Sequence, residues 1–207
     1  MAALTIWGTS YRYLRTELKM LGYILFITLL FEGYSLYLML QGIRNLYLFH
    51  ILTPLQYALY SVLFYLVIRE KRARRLILIT IPLGVLASAL ITLFIQPPSE
   101  FNSYASSLKN ILISCWVLLY YRDVFTQLNV IKLDREPMFW VSTGLFFNSL
   151  GSFFLFGLMN DLLEQSYELA HLLYYFSEFL GYVLFLTFAI AFLLNRKTTI
   201  LQLNENN

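Results

Sequence analysis

The sequence predicts an all-α fold, a polytopic transmembrane helix bundle with about six spans and with both the N- and the C-terminus on the cytoplasmic side. Two observations support this prediction. The 207 residues are 59% hydrophobic and only 13% charged, with a mean hydropathy of +0.64, whereas a soluble domain carries about 25% charged residues. Apolar runs of about 20 residues, enough to cross a hydrocarbon core of about 30 Å, also recur along the chain. A bilayer accommodates such a chain because helices satisfy their backbone polar groups internally.

The transmembrane domain is predicted at residues 20–194, between a cytoplasmic segment, 1–19, and a cytoplasmic tail, 195–207. Its six spans are predicted at about 20–40, 46–68, 76–95, 104–125, 138–159 and 169–194. No small-residue cleavage pattern follows the first apolar run, so it is expected to be a retained span. The connections are too short for a soluble domain, and any chemistry must therefore use groups within or beside the membrane.

The first segment has apolar residues at helical spacing, with Arg12, Arg15 and Lys19 between them. This pattern makes residues 1–19 a candidate amphipathic helix on the cytoplasmic face of the membrane. A frayed polar end is the alternative.

The fourth span is the weakest, because Lys109 and Arg122 leave only twelve uncharged residues between them. The distribution of positive charge supports it. With six spans, 13 of the 15 Lys and Arg residues lie inside, and only Arg44 and Lys109 lie outside. Without the fourth span, 8 of these residues lie inside and 7 lie outside. The excess of positive charge expected in cytoplasmic loops is then lost. In this topology the Lys109 side chain is expected to reach outward.

Two glutamates and two histidines are the candidate functional residues. Glu32 and Glu178 lie within predicted spans, where an ionisable side chain is costly unless it is paired, protonated or hydrated. His50 and His171 each open a span from the outer side, and His171 shares a helix face with Glu178 seven residues later. We therefore predict an intramembrane polar cluster of Glu32, His50, His171 and Glu178 in the outer half of the bilayer.

Three interpretations of this cluster remain open. The residues can be separate hydrogen-bonding groups that hold helices together, a ligand or proton site, or ligands of a metal ion or a haem. No strong metal motif such as H-E-x-x-H is present, so no cofactor is predicted. Further polar residues in the spans are candidates for a cavity lining: Gln56, Asn110 and Asn148.

A basic run between the second and third spans is a candidate site for anionic lipid head groups. It comprises Arg69, Lys71, Arg72, Arg74 and Arg75. A simple topological anchor is the alternative. The positive residues occur in short clusters and form no continuous basic face, so a nucleic-acid partner is not expected. The expected partners are the lipid bilayer and either another membrane protein or a second copy of the chain.

Catalytic motifs are absent from the sequence. The last span has no lysine for a retinal Schiff base, and neither a G-x-S-x-G motif nor a phosphate-binding glycine loop is present. No catalytic residue is predicted, and the sequence favours a non-enzymatic protein.

Two stretches carry a loose resemblance to a known group. Residues 45–50, NLYLFH, lead into Gln56-Tyr57, and residues 139–145, FWVSTGL, are followed by 151–156, GSFFLF. The chain resembles uncharacterised bacterial membrane proteins of six or seven helices, in which an asparagine and a histidine open a helix that carries an acid six residues later. Gln56 stands here in place of that acid. The resemblance implies a bacterial inner membrane location and a helical region similar to the membrane sensor regions of histidine kinases.

The leading hypothesis from the sequence is a non-enzymatic membrane module, either a ligand-sensing unit or a subunit of a membrane complex. A small proton-coupled transporter is the first alternative, because Glu32 and Glu178 can carry protons. An intramembrane metal or haem protein is the second.

Overall fold

A computed structural model describes residues 2–126, 133–157, 162 and 165–205, and all regular elements in these residues are helical. The seven helices are α1 (Ala2–Ser10), α2 (Thr16–Leu40), α3 (Tyr47–Val67), α4 (Lys71–Phe94), α5 (Ser103–Thr126), α6 (Pro137–Gly157) and α7 (Tyr167–Glu205). Two short 3₁₀ turns, Tyr11–Tyr13 and Leu133–Arg135, precede α2 and α6.

Five of the described helices, α2, α3, α4, α6 and α7, are long and apolar enough to cross a membrane. The prediction of an all-α, multi-pass membrane protein is therefore confirmed. Each predicted span coincides with a helix, although residues 158–159 of the fifth span lie outside the described residues. The 24 residues of α5 include Lys109, Arg122 and Asp123, so this helix is less apolar than the others. The helix of the sixth span continues through most of the predicted tail to Glu205.

Helices α2, α3, α5, α6 and α7 follow one another as packing neighbours, and α4 packs on the outside of α3 and α5. We call the end of the bundle that carries the connections 41–46 and 95–102 the outer end, because the sequence predicts it to face outward. The opposite end, with the connections 68–70 and 133–136, is the inner end.

The main apolar core lies toward the inner end of the bundle. Its buried residues lie within 14–24, 60–68, 73–77, 113–120, 138–145 and 184–192. Trp116 and Phe188 are almost fully buried there, and the Trp116 indole donates a hydrogen bond to Ser61 Oγ at 3.1 Å. The outer halves of α2 and α7 are far more exposed, as shown by Tyr37 at 57% and Tyr182 at 67%.

Helix α1 packs along both α2 and α7 in the inner half of the bundle. Ala3 is buried against Leu25 of α2 and Ala189 of α7, and the Trp7 ring covers Gly22 so closely that a Cβ atom there would collide with it. In the segment 1–19, predicted to be cytoplasmic and a candidate interfacial helix, the described residues 2–19 thus contain α1, a 3₁₀ turn, a two-residue connection and the first turn of α2. Its first helix fills the space between the two outermost helices of the row.

Candidate functional site

A layer of polar residues lies directly outward of the apolar core. We call it the polar layer, and its members come from five helices: Thr28, Glu32, Gln56, Lys109, Asn110, Asn148 and Glu178. They lie six to twelve residues from the outer helix ends, which is roughly 9–18 Å along the helix axes. Under the predicted topology this depth is inside the hydrocarbon core, where polar groups need partners.

Three members of the polar layer form a hydrogen-bonded chain. Lys109 Nζ donates to Gln56 Oε1 at 2.9 Å, and Gln56 Nε2 donates to Thr28 Oγ1 at 3.1 Å. The chain joins α5, α3 and α2. Lys109 therefore turns into the bundle, which differs from the expectation that it reaches outward. The acceptor oxygen of Gln56 and the nearby Glu32 carboxylate explain this direction, because they offer the ammonium group partners inside the protein.

The two glutamates of the predicted cluster interact with each other, and Glu32 also interacts with this lysine. The Glu32 carboxylate interacts electrostatically with both Glu178 and Lys109. The phenol of Tyr60 interacts with Glu32, and the phenol of Tyr174 interacts with both carboxylates. Glu32 of α2 thus interacts electrostatically with Lys109 of α5 and with Glu178 of α7, and we call these three residues the charged triad.

Two members of the charged triad, Glu32 and Glu178, are exposed on the outer halves of α2 and α7, whereas Lys109 is partly buried. These two helix halves have few direct contacts with each other in the described residues, and we call the space between them the cleft. On the inner side the cleft is closed by α1, where Ala3 packs on Leu25 and Ala189. The two carboxylates are therefore on the surface of the described bundle.

The two histidines of the predicted cluster have other contacts. The ring nitrogens of His50 lie 3.0 Å from Thr92 Oγ1 and 3.2 Å from the carbonyl oxygen of Glu100, so His50 links α3 to α4 and to the connection after it. His171 is exposed on α7, and its ring makes an edge contact with Tyr175 at 4.7 Å between centroids. The structure brings Glu32 and Glu178 into interaction with each other, and it gives His50 a separate set of hydrogen-bond partners.

The three predicted cavity-lining residues have different roles. Gln56 is the centre of the hydrogen-bonded chain. Asn110 is buried, and its Nδ2 atom has no hydrogen-bond acceptor among the described residues. Asn148 is half-buried on α6. Within the described ranges, no three His, Cys, Asp or Glu side chains are close enough together to share a metal ion.

A second charged region lies at the inner end. Arg15 Nη2 donates to Glu136 Oε1 at 2.6 Å, and Arg15 Nε lies 2.9 Å from Glu17 Oε1. The backbone N–H of Arg69 donates to Asp123 Oδ2 at 2.9 Å. These residues surround a cavity of about 250 Å³. These contacts join the start of α2 to the start of α6, and the end of α5 to the connection between α3 and α4.

The basic run predicted to contact lipid divides into two groups. Lys71, Arg72 and Arg75 line one groove on α4. The Arg74 guanidinium instead stacks over the Tyr65 ring at 4.3 Å, and the backbone of Arg69 is bonded to Asp123.

Sequence reasoning missed Lys109 as a member of the site. Lys109 lies six residues inside a helix, at about the depth of Glu32 and Gln56. That shared depth could have indicated that these side chains belong to one site. The direction of a flexible lysine side chain depends on the neighbouring helices, however, and spacing along one helix does not contain that information.

Comparisons with known protein families, with curated proteins and with solved structures found no match to this chain. The resemblance to the sensor regions of histidine kinases therefore stays a prediction. Any functional proposal has to rest on the cleft and its charged residues.

Proposed function

We propose that the protein is a non-enzymatic, ligand-binding module of the cell membrane, and that its ligand binds at the charged triad in the cleft between α2 and α7. The convergence of Glu32, Lys109 and Glu178 carries this proposal. Ionisable residues within a membrane are costly, and where they occur they typically line ligand or ion sites. If these positions served only helix packing, small or apolar residues would be sufficient there.

The proposal assigns α5 as a sixth span. Helix α5 packs against α3, α4 and α6, and its 24 residues extend roughly 36 Å. Its polar side chains Ser106, Asn110 and Ser114 are buried among these helices, while its apolar side chains Ile111 and Leu118 are exposed. The low hydropathy of α5 is thus explained by its position inside the bundle, because protein rather than lipid surrounds its polar face.

The formal charges of the triad favour a cationic ligand. Two carboxylates and one ammonium group leave one net negative charge, and Lys109 is already bound to Gln56. Glu178 carries the remaining acceptor capacity, next to Tyr174 and Tyr182 on the same helix. A carboxylate flanked by aromatic rings is suited to a protonated amine, which gains both an ion pair and cation–π contacts.

Charge-selective thiol labelling tests this proposal. Gly181 is three residues from Glu178 on the same helix face, and an added Cβ atom there meets no other atom within 4 Å. In a Cys115→Ser background, we expect the Gly181→Cys variant to react from the outer side. A trimethylammonium thiosulfonate should react faster than its sulfonate counterpart, and Glu178→Gln should reduce this difference.

The control is Leu86→Cys in the same background. Leu86 is 55% exposed on the surface of α4 and should be covered by lipid rather than water. Millimolar butylammonium should slow the labelling of the Gly181→Cys variant, whereas butyrate should not. Equal labelling of the two variants by water-soluble reagents would contradict an aqueous cleft. Faster labelling by the sulfonate reagent would contradict the cationic ligand.

A proton-coupled transporter is the second candidate, and the interaction of Lys109 with Glu32 favours it, because such groups exchange protons in transport proteins. Purified protein in liposomes with an internal pH dye separates the two functions. Butylammonium-dependent proton flux that is abolished by Glu32→Gln supports transport. Binding without flux supports the ligand-binding module.

A further inference from the structure

The start of α4 carries a groove of about 380 Å³ that is separate from the cleft. It is lined by Lys71, Arg72, Arg75, Leu76, Ile79 and Thr80. These residues lie on one side of the first three turns of the helix, because they recur at spacings of three, four and eight. The groove therefore runs along α4 from its first residue, at the inner end, toward the middle of the bundle.

One end of this groove is strongly basic. Lys71, Arg72 and Arg75 are exposed, and in the described part of the chain none of the three forms an ion pair. Arg74, in contrast, is directed away to the Tyr65 ring. The positive end of the α4 helix dipole adds to the field of these three cations. Such a cluster recognises a phosphate, since a guanidinium group offers paired donors to two phosphate oxygens.

The other end of the groove is aliphatic. Leu76 is 48% and Ile79 is 55% exposed, and the apolar strip continues outward along α4 through Leu83 and Leu86. A free inorganic anion would use only the basic end. An amphiphile with an anionic head group and an acyl chain would contact both ends.

We propose that this groove binds one anionic phospholipid of the inner leaflet, with its phosphate on Lys71, Arg72 and Arg75 and an acyl chain along Leu76 and Ile79. Charge complementarity selects the head group, and the aliphatic strip selects a lipid over a soluble phosphate. The site is independent of the charged triad, which lies in the outer half of the bundle. It makes α4, the least buried of the five apolar helices in the described residues, a lipid-selective surface.

Mass spectrometry of the intact protein released from mixed micelles tests the proposal. Wild-type protein is equilibrated with equal amounts of phosphatidylglycerol and phosphatidylcholine. We expect one phosphatidylglycerol to be retained in preference to phosphatidylcholine, and Arg72→Gln combined with Arg75→Gln to lower that retention roughly tenfold. The charge-conserving pair Arg72→Lys and Arg75→Lys should keep most of it, which separates loss of charge from loss of folding.

The matched control removes two positive charges from the same end of the bundle, by Arg196→Gln and Lys197→Gln on α7, and should leave retention unchanged. Equal retention of both lipids by wild-type protein would overturn the proposal. So would equal losses in the groove variant and the control. Displacement of the lipid by excess glycerol 3-phosphate would show that the groove is a site for soluble phosphate instead.

Discussion

Lys109 of α5 donates a hydrogen bond to Gln56 of α3 across 2.9 Å in the outer half of the bundle. The same lysine interacts with the Glu32 carboxylate of α2. One side chain thus ties together three helices at the level where the apolar core ends. The stability of the outer half should depend on it more than on any single aliphatic contact nearby.

The first prediction is that Lys109→Met destabilises the protein by about 1–3 kcal/mol, because it leaves the Gln56 acceptor without its donor and the Glu32 carboxylate without a nearby positive charge. Combining it with Glu32→Gln should cost less than the sum of the single changes, since the uncompensated carboxylate is then gone. Unfolding free energies in detergent measure both effects. Strict additivity of the two changes would contradict the interaction.

The second prediction separates the glutamates from His50. Glu32→Gln and Glu178→Gln should be non-additive, because each carboxylate repels the other. His50→Ala loses its bonds to Thr92 and Glu100 and should cost about 1–3 kcal/mol. Its effect should add to that of Glu32→Gln within about 0.5 kcal/mol. A coupling energy above this limit in the double-mutant cycle of His50 and Glu32 would support a single four-residue site instead.

The third prediction concerns the contact between α6 and α7. A Cβ atom at Gly144 would collide with the Thr187 side chain, whereas one at Gly181 meets nothing within 4 Å. Gly144→Ala should therefore destabilise the protein by about 1–3 kcal/mol. Gly181→Ala is the matched control and should be neutral or stabilising by up to about 1 kcal/mol, through helix propensity alone. Similar melting temperatures for the two variants would show that α6 and α7 are less closely packed.

The fourth prediction concerns the number of spans. Reporters fused after Lys71, Lys132 and Asn207 should be cytoplasmic, and reporters after Gln41, Ser99 and Glu164 should be extracytoplasmic. The pair at Ser99 and Lys132 is decisive for α5, because the two sites flank it. The same location for these two reporters would remove α5 from the membrane.

The helices themselves were predictable because hydrophobic length is a local property. The second predicted span, 46–68, differs by one residue at each end from α3, Tyr47–Val67. Its Pro54 did not end the helix, as is common where neighbouring helices cover the break. The end of α7 was harder to predict, because residues 195–205 are polar and their helical state depends on contacts such as the hydrogen bond from Thr199 Oγ1 to the Tyr13 carbonyl.

The candidate site was predictable only in part. Glu32 and Glu178 stand out in any apolar run, and the structure brings them together. Their partner Lys109 and the separate position of His50 depend on which helices are neighbours, and a single sequence does not contain that order. The position of α1 between α2 and α7 could not be predicted for the same reason. Ala3 and Gly22 are small enough for close helix packing, but their spacing in the sequence does not indicate which helices they contact.

Helix α7 has a mechanical consequence for a protein that binds a ligand at Glu178. From Tyr182 to Glu205 this helix contains neither glycine nor proline, the residues at which helices most often bend. The stretch from Tyr182 to Thr199 thus forms a stiff rod of roughly 26 Å. A tilt of this stretch would move the inner end of α7, and the hydrogen bond from Thr199 to the Tyr13 carbonyl connects that movement to the segment between α1 and α2.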